Sequence, residues 1–97
     1  NTIKYELVAA DYDLIVATYK DNPAFAAQVS NLETYGNIST FNWSEDQIDT
    51  AINTVINNSF SGMAEGQKFA ITVFVYNGSS QNIVINYVLS GGTYVRN

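Results

Sequence analysis

Apolar residues alternate as in a strand at the start of the chain and again in its last third. Between these two regions they recur with a helical period. Alternation at Ile3–Val8 predicts a half-buried strand. Helical spacing follows in Ala10–Lys20 and again in Asp21–Leu32. The second of these segments opens with Asn22 and Pro23, a capping residue followed by the residue favoured in the first turn.

The best local signal for a helix lies in WSEDQIDTAINTVINNSF. Ser44 at the N-cap places Gln47 at the third helical position, which is a capping box, while Trp43 and Ile48 stand where a hydrophobic staple needs them. The pattern predicts a helix over Ser44–Asn58. Its core-facing stripe is Ile48, Ala51, Ile52, Val55 and Ile56, and its water-facing residues are Asp49, Thr50, Asn53, Thr54 and Asn57.

The stretch KFAITVFVYNGSSQNIVINYVLS reads as an antiparallel hairpin, Lys68–Ser90. A two-residue Asn-Gly turn would place apolar residues opposite polar ones. A four-residue loop, Asn77–Ser80, instead pairs Val73 with Val84 and matches apolar with apolar on both faces. We therefore expect the four-residue loop.

In that register both faces of the hairpin are largely apolar. One face is expected to carry Phe69, Ile71, Val73, Val75, Val84 and Val88, and the other Ala70, Phe74, Tyr76, Ile83, Ile85, Tyr87 and Leu89. Helices can cover one face. The second is either covered internally, by further helices or by curling of the sheet, or exposed as a binding surface.

The order of elements is strand, helix, helix, short strand, helix and hairpin, with a possible short last strand in GGTYVRN. This order predicts an α+β fold, in which an antiparallel sheet has its helices packed mainly on one face. The length of 97 residues fits one domain, residues 1–97, with a single core.

Charge and composition exclude several kinds of function. The net charge is −5, and the four cations (Lys4, Lys20, Lys68 and Arg96) do not cluster, which argues against nucleic acid and anionic membranes. No apolar run approaches the twenty or so residues of a membrane span. No signal-peptide pattern opens the chain, and the missing initiator Met suggests a mature fragment or an excised domain. Abundant Asn, Ser and Thr favour a secreted or surface protein.

Residues suited to catalysis are few. Histidine and cysteine are absent, which removes Ser-His-Asp and Cys-His catalysis and the usual zinc ligands. Acidic pairs remain, in Asp11/Asp13 and Glu45/Asp46/Asp49, but they lie where helix starts place acids, with Ala10 or Asp11 as the expected N-cap. We expect no cofactor, no metal site and no catalytic residue.

Aromatic residues are the better candidates for a site. The seven tyrosines and Trp43 could form a platform on which sugars stack, although most have the spacing of core or boundary residues. The candidate binding residues are Phe74, Tyr76, Tyr87 and Tyr94.

Two phrases, YELVAADYDLI (5–15) and the segment 42–78, resemble small modules in surface lipoproteins of Bacteroides-type gut bacteria. The matching positions are Tyr5-Glu6-Leu7, Asp11-Tyr12, Asn42-Trp43-Ser44, Glu65-Gly66 and Val73-Phe74-Val75-Tyr76. The resemblance implies an extracytoplasmic accessory domain at a bacterial surface, beside other domains of a longer chain. It implies no catalytic residues.

The sequence therefore predicts a non-catalytic surface module that contacts a protein or a glycan through an apolar-aromatic sheet face. Two alternatives stay open, a structural spacer without a ligand and a small hydrolase that uses paired carboxylates. Accessibility of Phe74, Tyr76 and Tyr87 separates the first two. The oligomeric state and the ligand are not predicted.

Overall fold

A computed structural model describes residues 1–97 as three helices and five strands. The strands are β1 (Thr2–Glu6), β2 (Ile38–Ser39), β3 (Lys68–Tyr76), β4 (Ser80–Ser90) and β5 (Thr93–Arg96), and the helices are α1 (Ala9–Tyr19), α2 (Ala26–Tyr35) and α3 (Glu45–Ser59). The α+β class and the predicted order of elements are confirmed, including the short last strand.

The sheet is mixed, with the order β1-β3-β4-β5, and β2 also pairs with β3. The β3–β4 and β4–β5 pairs are antiparallel, as expected. The β1–β3 and β2–β3 pairs are parallel. Helices α1 and α2 bring the chain back close to the level where β1 ends, and α3 then returns it to the end of the sheet at which β1 begins. Strand β4 occupies one whole edge of β3, so β1 and β2 lie one after the other along its opposite edge.

Helix α3 forms as the sequence predicts. The hydroxyl of Ser44 accepts from the N–H of Gln47 at 3.1 Å, and the Gln47 side chain accepts from the N–H of Ser44 at 2.9 Å. Both staple residues, Trp43 and Ile48, are buried, as are all five residues of the predicted stripe. Local sequence signals and tertiary burial agree here, so the boundaries fall within a residue of the prediction.

The start of α1 differs from the prediction. Val8 is the N-cap, and Asp11 lies at the third helical position. From there its carboxylate accepts from the N–H of Val8 at 2.9 Å and from the hydroxyl of Tyr5 at 2.6 Å. The Asp11 carboxylate thus accepts the backbone N–H at the start of α1 from a position inside the first turn. A polar side chain at the N-cap is therefore unnecessary.

The hairpin register is shifted by one residue from the prediction. Tyr76 pairs with Ser80 and Val73 with Ile83, so the loop has three residues, Asn77–Ser79. The four-residue loop is therefore wrong. Gly78 has φ +110°, a conformation that side chains disfavour, and it allows the tighter loop.

A shift of one residue moves every β4 side chain to the opposite face. Tyr87 and Ile85, expected beside Phe74, instead face the helices, and Val84 and Val88 face away from them. The inner face is the one packed against the helices. Its β3 and β4 residues are Phe69, Ile71, Val73, Val75, Ile83, Ile85, Tyr87 and Leu89.

Candidate functional site

The face of the sheet opposite the helices, here called the outer face, is covered by no other part of the chain. It carries the alternate residues of β3 and β4, among them Thr72, Phe74, Tyr76, Asn82, Val84, Asn86 and Val88. In the observed register Phe74 stands opposite Asn82, and Val84 opposite Thr72. The outer face therefore mixes apolar and amide side chains and is less apolar than the predicted one.

One end of the outer face is aromatic. The rings of Phe41 and Tyr76 lie 6.1 Å apart at a tilted angle, and their side chains are 72% and 39% exposed. Phe74 precedes Tyr76 on the same face, and Val84, 58% exposed, is diagonal to Phe74 across the β3–β4 pair. We call Phe41, Phe74, Tyr76 and Val84 the aromatic patch.

Hydrogen bonds from β2 and from the loop that follows hold this end of the sheet in place. The backbone N–H of Thr40 donates to the carbonyl of Tyr76 at 2.9 Å, which positions Phe41 beside the sheet. The N–H of Phe74 donates to the hydroxyl of Tyr12 in α1 at 2.8 Å, in the gap between β1 and β2. Burial first, and then the charges of Asp11 and Glu6, raise the pKa of Tyr12, which keeps its hydroxyl neutral.

Two of the four candidate binding residues lie on the outer face and two do not. Phe74 and Tyr76 are partly exposed there. Tyr87 and Tyr94 are almost fully buried on the inner face, where the Tyr94 ring meets Phe69 edge to face at 5.3 Å. Placing Tyr87 on the second face was therefore wrong, and neither tyrosine can stack on a ligand bound to the outer face.

Tyr87 instead anchors β4 to α3. Its hydroxyl donates to Asp49 Oδ1 at 2.7 Å, and Nε of Arg96 donates to the same carboxylate at 2.8 Å. Burial and the hydrogen bond to Asp49 raise the pKa of Tyr87 far above the usual value. Burial alone would lower the pKa of Arg96, but Asp49 and then Glu45 raise it on balance.

Asn53 ties α3 to β5. Its amide nitrogen donates to the carbonyl of Tyr94, and its amide oxygen accepts from the N–H of Tyr94, each at 2.8 Å. The Asn53 side chain thereby takes the place of a neighbouring strand at the edge of β5. Both Asp49 and Asn53 were expected to face water, and both instead hold the last two strands against the helix.

A polar cleft of about 770 Å³ lies between α3 and β5. It is lined by hydroxyl, amide and acidic side chains, including Thr50, Asn57 and Asp46. Asp49 and Asn53, also in the lining, have their polar atoms engaged by Tyr87, Arg96 and Tyr94. The lining thus consists largely of groups that support the fold.

Three of the five acidic residues named as catalytic candidates have structural partners. Asp11 is held by Tyr5 and Val8, and Asp49 by Tyr87 and Arg96. Glu45 lies 3.3 Å from Arg96. No three acidic side chains come together in a geometry suited to a metal ion.

Comparisons with family models, with curated proteins and with solved structures find no match to this chain. None of the helices combines the length and the apolar character needed to traverse a bilayer.

Sequence reasoning missed Phe41, the most exposed large apolar side chain of the protein. Phe41 belongs to no periodic segment, since it lies in the polar run between β2 and α3. The available signal was an aromatic residue among Ser, Thr and Asn that, unlike nearby Trp43, has no place in the staple or in a helical stripe. Val84 was missed for another reason, because the wrong register turned it inward.

Proposed function

We propose that this protein is a non-catalytic module that contacts another protein or a glycan through its outer face, with the aromatic patch at the centre of the contact. The observation that supports this proposal is the exposed ring pair of Phe41 and Tyr76, continued by Phe74 and Val84 on an uncovered sheet. Exposed aromatic and aliphatic side chains that adjoin one another mark interaction sites more often than single ones do.

The outer face mixes polar and apolar side chains, and this composition suits a transient contact. Amides of Asn82 and Asn86 alternate with the valines, and they can pair with hydroxyl or backbone groups of a partner. Aromatic rings can stack on the apolar face of a sugar or pack against a partner side chain. Both classes of partner remain within the proposal.

The proposal includes an extracytoplasmic location at a bacterial surface, within a longer chain that has other domains. Its support is the resemblance to surface-lipoprotein modules, together with the low charge of the surface and its richness in Asn, Ser and Thr. Digestion of intact producing cells by an external protease tests the location, because a protein inside the cell would survive.

A structural spacer is the second candidate. It is favoured by the burial of Tyr87 and Tyr94, which leaves two of the four candidate residues on the outer face. A spacer needs only the α3–β4–β5 contacts and would tolerate any polar residue in the aromatic patch.

Site-specific photo-crosslinking separates the two candidates. Benzoylphenylalanine replaces Phe41 in producing cells, and the control carries it at Tyr35, which is 67% exposed at the end of α2. The proposal expects a defined protein adduct from position 41 that is absent from position 35. In parallel, a glycan array compares the native chain with the F41S/Y76S double variant, and a glycan partner would lose its signal in the variant. Absence of both an adduct and a glycan signal would support the spacer.

A further inference from the structure

Apart from the two-residue strand β2, which is too short to template a partner, the sheet has three stretches of strand edge, and two of them are protected against pairing with another strand. Along β5, Asn53 occupies both backbone groups of Tyr94. Along β1, the charged side chains of Lys4 and Glu6 stand at alternate positions, and inserted charges disfavour edge pairing. The third stretch, Gln81–Ile85 of β4, has neither kind of protection.

The backbone of this third stretch is free on the side away from β3. The last hydrogen bond between β5 and β4 runs from the N–H of Asn97 to the carbonyl of Asn86. Because backbone groups alternate in direction along a strand, those of Asn82 and Val84 point the same way as those of Asn86. Within residues 1–97 no backbone or side-chain group bonds to them on that side.

The side chains around the free stretch carry no charge. Between Lys68 and Arg96 the sequence has no Asp, Glu, Lys or Arg, so the net charge of −5 arises entirely outside this region. The stretch is rich in β-branched residues, with Ile83, Val84 and Ile85 in a row. Such strands pair readily when their edge is open.

We propose that Gln81–Ile85 is a dimerisation edge that pairs antiparallel with the same stretch of a second copy. The free stretch is bounded by the hairpin loop on one side and by Asn97 on the other, and Ile83 lies at its centre. A twofold axis at Ile83 sets each free stretch against its counterpart. Asn82 of one copy then exchanges N–H···O=C bonds with Val84 of the other, and Val84 of the first does the same with Asn82 of the second.

The pairing joins two sheets into one and brings two outer faces side by side. This inference is independent of the proposed contact function, because the edge could pair whether or not the aromatic patch has a partner. Five residues a side make a small interface, so we expect a weak and reversible dimer.

Sedimentation equilibrium of the 97-residue chain tests the proposal. The average mass should rise from 10.7 kDa towards twice that value as the concentration increases from about 10 μM to about 1 mM. Val84→Lys puts a charge on the free edge and should weaken the dimer at least about tenfold. Val95→Lys, at an exposed valine of the outer face outside the free stretch, should leave it unchanged.

A cross-link gives a second measurement. The chain has no cysteine, so Ile83→Cys introduces a single thiol next to its symmetry mate. Mild oxidation should give a disulfide dimer for Ile83→Cys and none for Val95→Cys.

Three results would overturn the proposal. One is a native chain that stays monomeric at about 1 mM, where even weak edge pairing is populated. Another is equal loss of association in Val84→Lys and Val95→Lys, which would place the contact elsewhere on the outer face. The last is a longer chain, with residues beyond Asn97, that stays monomeric while residues 1–97 dimerise, since a strand of the same chain would then be the occupant.

Discussion

Asp49 in α3 accepts a 2.7 Å hydrogen bond from the hydroxyl of Tyr87 in β4. The contact joins the amphipathic helix to the strand that carries the free edge, and Arg96 of β5 binds the same carboxylate. One side chain thus ties the helix to the last two strands of the sheet.

Replacing Asp49 with Ala should destabilise the protein. The hydroxyl of Tyr87 would be buried without an acceptor, and Arg96 would lose its main partner. We expect the free energy of unfolding to fall by about 2–3 kcal/mol. Urea denaturation measures the change, and Asp46→Ala, at an exposed acid in the first turn of α3, is the control. Equal effects of the two substitutions would mean that the Tyr87 contact contributes nothing specific.

Alkaline pH should destabilise the protein through Tyr87. Its folded-state pKa is raised, chiefly by burial, so the neutral hydroxyl stabilises the fold fully below the unfolded-state pKa of 10.0, and this stability is lost as the pH rises further. Above pH 10 the ionisation of Tyr87 should remove about 1.4 kcal/mol per pH unit. Tyr5 and Tyr12 also have raised pKa values and add to the trend.

Tyr87→Phe isolates the contribution of this one hydroxyl. The variant should show a shallower loss of stability between pH 10 and about 11.5 than the native protein, measured by urea denaturation at each pH. Tyr35→Phe, at an exposed tyrosine, is the matched control. If Tyr87→Phe loses stability as steeply as the native protein, ionisation of Tyr87 does not govern alkaline unfolding.

Asn53→Ala should loosen β5. Two hydrogen bonds to the backbone of Tyr94 disappear, and we expect a loss of about 1–3 kcal/mol in the free energy of unfolding. The amide of Tyr94 should exchange with solvent faster, because its N–H no longer has an acceptor. Hydrogen exchange by NMR measures this, with Asn57→Ala one turn further along α3 as the control. Unchanged exchange at Tyr94 would contradict the assigned role of Asn53.

Ile52→Asp should unfold the domain. Ile52 is fully buried, and a carboxylate there would be isolated from water and from any cation. The expected cost exceeds about 4 kcal/mol. Circular dichroism during heating checks the outcome, and Thr50→Asp on the exposed side of the same helix should melt cooperatively like the native protein. A cooperative Ile52→Asp variant would refute the packing of α3 against the sheet.

Gly78→Ala should destabilise the hairpin without touching any neighbour, since the space around a Cβ at this position is open. The cost arises from the φ of +110° alone and should reach about 1–3 kcal/mol. Ser79→Ala, which needs no unusual backbone conformation, is the control for urea denaturation. A loss below that of Ser79→Ala would mean that the loop adjusts to another conformation.

Local signals made α3 predictable from the sequence, and their absence made the hairpin register unpredictable. The capping box, the staple and the stripe around Ile52 all lie within one segment, so neighbouring residues determine the helix. The register depended on long-range pairing between β3 and β4. Ile83 and Val84 are adjacent, apolar and β-branched, so pairing Val73 with either one looks equally good from the sequence.

The prediction of the candidate site depended in part on the same hairpin register. The correct face of β3, with Phe74 and Tyr76, followed from the sequence because alternation within one strand needs no partner. Tyr87 was misplaced because its face depends on the register. Tyr94 was misplaced because nothing in the last strand indicates that the Asn53 side chain of α3 will bind the backbone of Tyr94.

The parallel pairing of β1 with β3 bears on the order in which parts of the protein fold. Thr2 pairs with Lys68, so the strand that is synthesised first acquires its neighbour only after all three helices have been made. Closing so long a loop makes this pairing a slow step, and until then the side chains of Ile3, Tyr5 and Leu7 lack their binding partners in β3. A chain truncated before residue 68 should therefore leave these three side chains of the N-terminal region exposed to solvent.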